Sequence, residues 1–286
     1  MASPTTLAHS PCPNDTFVFH AWSAGLLPGA PPPEVTIADI DVTNTLAEQG
    51  GQDVLKISYA ALPYVLDRYA LLPCGGALGH GCGPLLLTRD ALEPADLAGR
   101  VVAIPTERST AYLLFRLWAA RNVAGGEVRT VVMPFHRIMP AVQEGVVDAG
   151  LVIHEARFTF PAYGLHRLVD LGEDWEARTG LPIPLGAIVA RRDLGEARLA
   201  GITEAIRASV RHAWADPGAS VDHVRAHAQE MAPDVQRQHI ALYVNGYTED
   251  LGPEGRTAVR TLLGQAVRAG AVPPFASEAL VPAGTG

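Results

Sequence analysis

Two stretches of the sequence, LAEQGGQDVLKISYA (residues 46–60) and AVQEGVVDAGLVIHE (residues 141–155), share a pattern that decides the fold. Each contains a Glu/Gln pair, a glycine, two further residues, an aspartate and then an apolar segment of strand length. The glycine and the aspartate of the second stretch each come 95 positions after those of the first. A helix end, a turn and a strand therefore recur at a fixed displacement, which indicates an internal repeat.

The same displacement relates the starts of two predicted helices. It aligns the triplet that begins at Asp15 with the triplet that begins at Thr110, and both helices carry a tryptophan farther on, Trp22 and Trp118. One displacement shared by two motifs indicates two α/β lobes built on one plan.

Strand-like and helix-like segments alternate through the first two thirds of the chain. The strand-like segments are VTIADI, DVLKIS, GPLLLT, RVVAIP, RTVVMP and AGLVIH, and the helix-like segments are DTFVFHAWSAG, TNTLAEQG, AYLLFRLWAARN and RIMPAVQEG. This alternation predicts parallel, doubly wound sheets of the α/β class. Beyond Arg192 the apolar residues recur at helical spacing, which predicts a C-terminal group of helices.

Two similar segments, GCGPLLLTRD (residues 81–90) and PLGAIVARRD (residues 184–193), predict where the chain passes between the lobes. Each is an apolar strand that opens on a small residue and closes on a basic residue followed by Asp. We therefore expect two crossing strands to join two sheets. Lobe one would comprise residues 1–88 and 188–286, with the C-terminal helices, and lobe two would comprise residues 89–187. Two lobes joined at two points form a hinged cleft.

The composition argues against several function classes. The chain has 286 residues, of which 48% are hydrophobic, with a formal net charge of −8 and no basic stripe, so we expect binding neither to nucleic acid nor to membranes. No apolar run reaches the roughly 18 residues of a transmembrane helix. The N-terminal segment resembles no secretory signal, and the three cysteines, Cys12, Cys74 and Cys82, do not suit a disulfide framework. Both features predict a cytoplasmic protein. The sequence leaves the oligomeric state open.

The segment SPCPNDTFVFHAW (residues 10–22) predicts a stiff loop followed by a helix. Its two prolines exclude a helix interior, and Asn14 and Asp15 are good N-cap residues. A helix that begins after a strand and a loop directs free backbone N–H groups outward, which suits an anionic ligand. The alternative is a well-capped helix without a ligand.

His154 follows the apolar segment GLVI, so we expect its ring at the mouth of a strand. In open α/β sheets ligands bind beyond the carboxyl ends of the strands, and a neutral imidazole there can act as a general base near pH 7. Glu155 or Arg157 could tune it. The alternative is a hydrogen-bonded structural histidine.

Ser109 and Thr110 open the predicted helix AYLLFRLW. Their hydroxyls, together with the N–H groups of Thr110 and Ala111, are candidates to hold a carboxylate. The alternative is a simple helix cap.

Lys56, Ile57 and Ser58 end a predicted strand of lobe one. A lysine in an otherwise apolar strand is costly unless its ammonium reaches water or an anion. We therefore expect Lys56 either to meet an anion in the cleft or to extend along the surface into solvent.

The cysteines offer two weaker hypotheses. Cys12 precedes a helix, where a thiolate is favoured, but the sequence identifies no histidine partner for a nucleophile. The spacing of Cys74, His80 and Cys82 matches no common zinc pattern and lacks a fourth ligand, so we expect no metal.

Four segments, SPCPNDTFVFHA, KISYAALPYVLDRYALLPCGGALGHGCGPLLL, STAYLLF and VIHEARFTFPAYGL, resemble the 1,4-dihydroxy-6-naphthoate synthases of the futalosine route to menaquinone. The similarity extends over nearly the whole chain. SPCPNDTF and IHE-x-RFT are specific to that family rather than general to the fold.

The resemblance implies a type II periplasmic-binding-protein-like fold without export. It implies cleavage of a carbon–carbon bond in cyclic dehypoxanthine futalosine, a bicyclic carboxylate, with aromatisation to 1,4-dihydroxy-6-naphthoate. The family's proton-accepting histidine falls on His154. Its substrate contacts fall on Lys56, Ile57, Ser58, Thr110 and Ala111, with Ser109 beside them. Aromatisation supplies much of the driving force, so no cofactor is implied.

Two alternatives are retained. A chorismate dehydratase of the same pathway shares the fold class, but the SPCPND and IHE motifs argue against it. A non-catalytic protein that binds a small carboxylate would usually carry a signal peptide or a lipid anchor.

Overall fold

The structure is a computed structural model that describes residues 4–123, 128–228 and 232–280. It contains eleven strands within that part of the chain. They are β1 (Thr6–His9), β2 (Glu34–Ile37), β3 (Val54–Ser58), β4 (Tyr69–Leu71), β5 (Ala77–Gly79), β6 (Leu85–Thr88), β7 (Val101–Ile104), β8 (Arg129–Val132), β9 (Ala149–Val152), β10 (His166–Asp170) and β11 (Ile183–Arg191).

The α-helices of the same described ranges lie between and after these strands. They are α1 (Pro13–Ser23), α2 (Ile40–Gln49), α3 (Thr110–Asn122), α4 (Phe135–Gln143), α5 (Ala156–Thr159), α6 (Leu171–Thr179), α7 (Glu196–Ala215), α8 (Val221–His227), α9 (Pro233–Tyr243), α10 (Gly246–Glu249) and α11 (Gly252–Arg268). None of the helices described in these ranges is both long enough and apolar enough to span a membrane.

The strands form two mixed sheets. The first has the order β2-β1-β3-β11-β4, with β5 also paired to β11, and the second has the order β10-β6-β9-β7-β8. The predicted α/β class and the two-sheet architecture are confirmed. The predicted segments VTIADI and RTVVMP are shorter as strands than expected, because β2 ends at Ile37 and β8 at Val132.

The internal repeat is confirmed in the strand register. In the first sheet β1 pairs in parallel with β2 and β3, and in the second sheet β7 pairs in parallel with β8 and β9. The two repeated aspartates have the same role. Asp53 accepts a 3.1 Å hydrogen bond from the N–H of Thr6, and Asp148 accepts a 2.8 Å hydrogen bond from the N–H of Val101. Each carboxylate therefore ties the start of its own strand, β3 or β9, to the start of the parallel strand beside it, β1 or β7.

The two segments expected to cross between lobes differ from the prediction. The strand Leu85–Thr88 lies entirely in the second sheet, and the strand Ile183–Arg191 lies entirely in the first, each antiparallel to its neighbours. The chain changes sheets before each strand rather than within it. The expected lobe boundaries at residues 88 and 187 stay a prediction. The chain passes from the first sheet to the second within residues 80–84 and returns to the first within residues 171–182.

Two glycines allow the crossing segments to touch. A Cβ at Gly83 would lie 2.1 Å from the backbone nitrogen of Gly172, so any larger residue would collide with backbone rather than with a flexible side chain. This close approach fixes the two connections against each other, and the cleft between the sheets begins at this point.

The core continues from one sheet to the other. One buried cluster joins Leu55 of β3, Leu86 of β6 and Leu151 of β9, whereas a second packs Phe17 and Trp22 of α1 against the other face of the first sheet. The C-terminal helices cover that face, since α1 packs against α7, α8 and α9. The start of α1 is thereby enclosed between the first sheet and α9.

Candidate active site

The loop between β1 and α1 supplies the first site residues. We expected Asn14 or Asp15 to cap the helix, and this is wrong, since the N-cap is Cys12 and the helix begins at Pro13. A proline is well tolerated at the first helical position because its missing N–H would be unpaired there anyway. The Cys12 side chain makes no capping hydrogen bond, and the side chains of Asn14 and Asp15 line the cleft instead.

Asp15 is the centre of a buried polar chain. Its Oδ1 lies 2.5 Å from Nζ of Lys56 and accepts a 2.8 Å hydrogen bond from Nδ2 of Asn14, while its Oδ2 accepts a 2.7 Å hydrogen bond from the Ser10 hydroxyl. Burial opposes ionisation, but the Lys56 ammonium, the nearby His9 and these hydrogen bonds outweigh it and hold the pKa of Asp15 below its usual value. Both oxygens of the Asp15 carboxylate therefore have hydrogen-bond partners within the protein.

Lys56 meets its anion within the protein. Its ammonium pairs with Asp15, although Lys56 still lines the cleft. The stem of the side chain crosses Gly186 on the neighbouring strand, where a Cβ would lie 2.5 Å from Cε of Lys56. The glycine at position 186 leaves room for this lysine to lie flat against the sheet.

The end of β3 is fixed by an asparagine of α2. Asn44 accepts a 2.9 Å hydrogen bond from the N–H of Ser58 and donates a 3.2 Å hydrogen bond to its hydroxyl. Ser58 lines the cleft, whereas Ile57 is fully buried in the core and does not line it. The alternation of side chains along the strand is the reason, because neighbouring residues face opposite sides.

The residues at the start of α3 both cap the helix and line the cleft. The Ser109 hydroxyl accepts a 3.1 Å hydrogen bond from the N–H of Tyr112 and donates to the carbonyl of Thr106, so it is a helix cap. The Thr110 hydroxyl donates a 2.7 Å hydrogen bond to the carbonyl of Leu185 on β11. Both hydroxyls are occupied by protein partners, whereas the N–H groups of Thr110 and Ala111 have no acceptor among residues 4–123, 128–228 and 232–280.

His154 follows β9, as its sequence position predicted, and lines the cleft. Its φ of +54° lies in the left-handed region, which histidine tolerates better than most side chains but which still costs about 1 kcal/mol. Nδ1 lies 3.1 Å from the sulfur of Cys12, and the ring lies against Phe135 with the ring centres 5.6 Å apart. The strained backbone turns the ring out of the strand and toward the opposite sheet.

Glu155 and Arg157 hold the turn that follows His154. Arg157 donates a 2.7 Å hydrogen bond to the carbonyl of Gly83 and forms an ion pair with the buried Asp170, so it anchors this turn to the crossing segment. Glu155 is buried rather than a surface charge, and its carboxylate contributes to raising the pKa of the Cys12 thiol. Neither residue lines the cleft.

His239 was not predicted from the sequence. It lies on α9 and is only 1% exposed, and its Nε2 donates a 2.9 Å hydrogen bond to Oδ1 of Asn14, since an amide oxygen can only accept. Its ring centre lies 6.2 Å from that of His154. Burial, together with His154, lowers the pKa of His239 to about 3, so its ring is neutral at physiological pH. The sequence feature that could have predicted this residue is a histidine among the apolar residues of the predicted helix DVQRQHIALYVNGY.

Two cavities meet at His154. The inner one has a volume of about 80 Å³ and the outer one about 690 Å³. Both are lined by Ile40, Ile153 and His154. The inner cavity is also lined by Ser10, Asn14, Asp15, Lys56, Ser58, Ser109, Thr110, Ala111, Gly186, His239 and Tyr243, among others. By itself it is smaller than the site of a drug-sized ligand, so a bicyclic ligand would also occupy part of the outer cavity that adjoins it at His154.

The structure thus brings together six of the predicted site residues, namely Lys56, Ser58, Ser109, Thr110, Ala111 and His154. Cys12 has the histidine partner that the sequence could not identify. No group of three or more metal-ligating side chains is arranged to hold an ion within the described part of the chain. The sulfur of Cys74 instead donates to the carbonyl of Thr203.

Two α/β sheets that face each other across a ligand-sized cleft define the class of periplasmic-binding-protein folds. The alkanesulfonate-binding protein SsuA from Xanthomonas axonopodis pv. citri, solved with bound MOPS, superposes with a TM-score of 0.72 and 15% identity over 96% of each chain. At that identity the likeness shows the fold alone.

The sequence model of the family described as "Menaquinone biosynthesis" matches residues 5–268, and the chain belongs to that family. A relative from Streptomyces coelicolor is 65% identical over 96% of each chain. A relative from Thermus thermophilus is 47% identical over 94% of this chain and 96% of its own. Both are named 1,4-dihydroxy-6-naphthoate synthase.

Proposed function

We propose that this protein is a carbon–carbon lyase that converts cyclic dehypoxanthine futalosine to 1,4-dihydroxy-6-naphthoate, with His154 as the general base. The names of two relatives at 65% and 47% identity support the activity. The observation that carries the role of His154 is its position at the meeting point of the two cavities. A substrate cut into two parts would have its breaking bond beside this ring.

The base would take the proton of a substrate hydroxyl. The electrons of that O–H bond form a carbonyl, the adjacent carbon–carbon bond breaks, and its electron pair enters the ring system, which becomes aromatic. An imidazole is suited to this step because the neutral ring has one nitrogen with a free lone pair that can accept a proton. The positive φ at His154 supports a functional role, since strained backbone in a cleft persists only where the surrounding structure holds it.

The substrate carboxylate would bind at the start of α3. The N–H groups of Thr110 and Ala111 have no acceptor among the described residues, and the N-terminus of a helix favours an anion. The Lys56 ammonium contributes little net charge, because Asp15 neutralises it. Lys56 and Ser58 would instead shape the wall of the cavity, and Ile57 would support that wall from the core.

Cys12 would orient the base rather than attack the substrate. Burial, with the negative charges of Glu155 and Asp15, raises the pKa of the Cys12 thiol well above its usual value. A reactive cysteine needs the opposite shift. The sulfur of the neutral thiol, at 3.1 Å, would accept a weak hydrogen bond from Nδ1–H of His154, and that ring tautomer leaves the lone pair of Nε2 free to accept the proton.

One incubation tests the activity. The purified protein, mixed with cyclic dehypoxanthine futalosine, should generate the absorbance of the dihydroxynaphthoate without any added cofactor. Binding of the substrate without product would instead favour a non-catalytic carboxylate-binding protein, and turnover of chorismate alone would favour the dehydratase. The three free thiols are consistent with a cytoplasmic location, which we propose for this step.

A further inference from the structure

His239 has a ring tautomer that its neighbours determine. The carboxylate of Asp15 can only accept hydrogen bonds, because its pKa is lowered by the Lys56 ammonium despite burial. The Asn14 amide therefore turns its NH₂ group toward Asp15, at 2.8 Å, and its carbonyl oxygen toward His239. A carbonyl oxygen accepts, so Nε2 of His239 must carry the hydrogen.

The other ring nitrogen of His239 is consequently a bare acceptor. A neutral imidazole has one N–H, and the pKa of about 3 keeps this ring neutral, so Nδ1 holds a lone pair. Nδ1 is buried and has no hydrogen-bond partner among the residues that the structure describes. An unpaired buried acceptor is unfavourable by about 1–3 kcal/mol unless a ligand or water satisfies it.

His239 lines the inner cavity together with His154, whose ring centre is 6.2 Å away. His9 shows the contrast, because its Nε2 is also buried without a partner but the residue lies under the loop, stacked on Phe19, and does not line the cavity. Of these two histidines, His239 is the one that forms part of the cavity wall.

We propose that Nδ1 of His239 accepts a hydrogen bond from a hydroxyl group of the substrate and so fixes how the substrate lies against His154. The chain Lys56–Asp15–Asn14 makes His239 an acceptor, so the site selects a hydroxyl donor and rejects a carbonyl or ether at the same place. This proposal rests on the proposed function for the identity of the substrate. The hydroxyl belongs either to the ring system or to the sugar-derived part.

Two variants distinguish the roles of the two ring nitrogens of His239. In His239→Gln the side-chain amide reaches the position of Nε2, so the hydrogen bond to Asn14 is retained and the acceptor at Nδ1 is lost. We expect kcat/KM to fall by roughly tenfold to a hundredfold with normal folding. In His239→Asn the amide oxygen can take the place of Nδ1, and we expect a smaller loss of kcat/KM than in the glutamine variant. Equal kcat/KM for wild type and His239→Gln would overturn the proposal.

Ligand binding distinguishes the two sources of the hydroxyl. The product carries the ring hydroxyls but not the sugar-derived part, and 2-naphthoate carries no hydroxyl. If the ring hydroxyl is the donor, His239→Gln should bind the product more weakly and 2-naphthoate equally well. If the donor is on the sugar-derived part, binding of both compounds should be unchanged while kcat/KM still falls.

Nitrogen-15 NMR on labelled histidines tests the tautomer without any substitution at position 239. His239 should show the hydrogen on Nε2, and its Nδ1 resonance should move when substrate binds to an inactive His154→Asn variant. A hydrogen on Nδ1, or an Nδ1 resonance that does not move, would overturn the inference. Absence of product from the wild-type protein would instead refute the proposed function, so the two failures are distinguishable.

Discussion

The sulfur of Cys12 lies 3.1 Å from Nδ1 of His154 and 3.8 Å from its Nε2, although 142 positions separate the two residues. Cys12 is the N-cap of α1, which packs on the first sheet, and His154 follows β9 of the second sheet. The contact therefore exists only while the two sheets face each other. A base oriented from the opposite side of the cleft is fully assembled only when the cleft is closed.

Substitution of Cys12 should separate orientation from covalent catalysis. We expect Cys12→Ala to lower kcat by roughly tenfold to a hundredfold with little change in KM, because the imidazole loses its fixed orientation. Cys12→Ser should restore most of kcat, since a hydroxyl can also bind Nδ1. Steady-state kinetics on the chromophore measures both. Cys74→Ala, which removes a buried thiol away from the cleft, is the control and should leave kcat unchanged. A fall in kcat of several orders of magnitude in Cys12→Ser would instead indicate that Cys12 is a nucleophile.

His154→Asn should remove the base without stressing the backbone. Asparagine tolerates the left-handed region at φ +54° better than alanine does. We expect kcat to fall by roughly a hundredfold to ten-thousandfold and KM to stay within about tenfold, because the base acts mainly in the transition state. His154→Ala should be similarly inactive but less stable by about 1 kcal/mol. A fully active variant at this position would contradict the proposed mechanism.

The side-chain hydroxyl of Thr110 should contribute more to the stability of the fold than to binding of the substrate carboxylate. Its hydroxyl donates to the carbonyl of Leu185 and accepts from the N–H of Ala60, at 2.7 and 3.3 Å. Thr110→Val should lower the free energy of unfolding by about 1–3 kcal/mol, because both buried backbone groups lose their partner. Thr110→Ser retains the hydroxyl and is the matched control. Urea denaturation measures the difference, and a stable valine variant with a greatly raised KM would point to direct binding by the hydroxyl.

An ion pair between the two halves of the structure, called here the cleft ion pair, should favour closure of the cleft. Arg108, before α3, lies 3.0 Å from Glu48 of α2 and over the ring of Tyr64. Both charged side chains are partly exposed, so the pair contributes at most about 1 kcal/mol. We expect Glu48→Gln to raise KM by about twofold to fivefold with unchanged kcat, and salt to reduce the difference between variant and wild type.

The control for the cleft ion pair is Glu204→Gln, which removes the carboxylate of a similarly exposed pair with Arg211 on α7. It should leave KM unchanged. Equal KM values for Glu48→Gln and wild type at low salt would argue against a closing role for Arg108 and Glu48.

Acid should destabilise the protein through three histidines that are buried or half-buried, His9, His223 and His239. Burial lowers the pKa of His223 to about 4 and that of His239 to about 3, and it also lowers the pKa of His9. The unfolded chain binds protons at these residues as the pH falls through about 6.5, whereas the folded protein does not. The free energy of unfolding should therefore fall as the pH drops from about 6.5 toward 4.

Urea denaturation at several pH values tests this slope. His223→Gln should flatten it, because one of the contributing histidines is gone. His166→Gln, at an exposed position on β10, should leave it unchanged. A free energy of unfolding that is constant between pH 7 and pH 4.5 would contradict the lowered pKa values of His9, His223 and His239.

Much of the fold could be predicted from the sequence. The repeated glycine and aspartate predicted the same turn and strand start in both halves. The glycine allows the left-handed backbone of the turn, and the aspartate accepts a hydrogen bond from the backbone N–H of the adjacent strand. Gly50 and Gly145 have φ of 76° and 72° at equivalent places. The direction of the crossing strands could not be predicted, since an apolar run reads the same whether its partners are parallel or antiparallel.

Equivalent positions of the repeat differ in their tertiary surroundings, which the sequence pattern does not predict. Tyr59 is the repeat equivalent of His154, yet Tyr59 is fully buried in the core and His154 lines the cleft. Local sequence determined the alternation of strands and helices, the repeat and the strand-end position of His154, because periodicity and turn chemistry act over a few residues. Only the tertiary structure brought Cys12, His154 and His239 together and gave Lys56 its partner, because contacts between distant segments depend on how the sheets and the C-terminal helices pack.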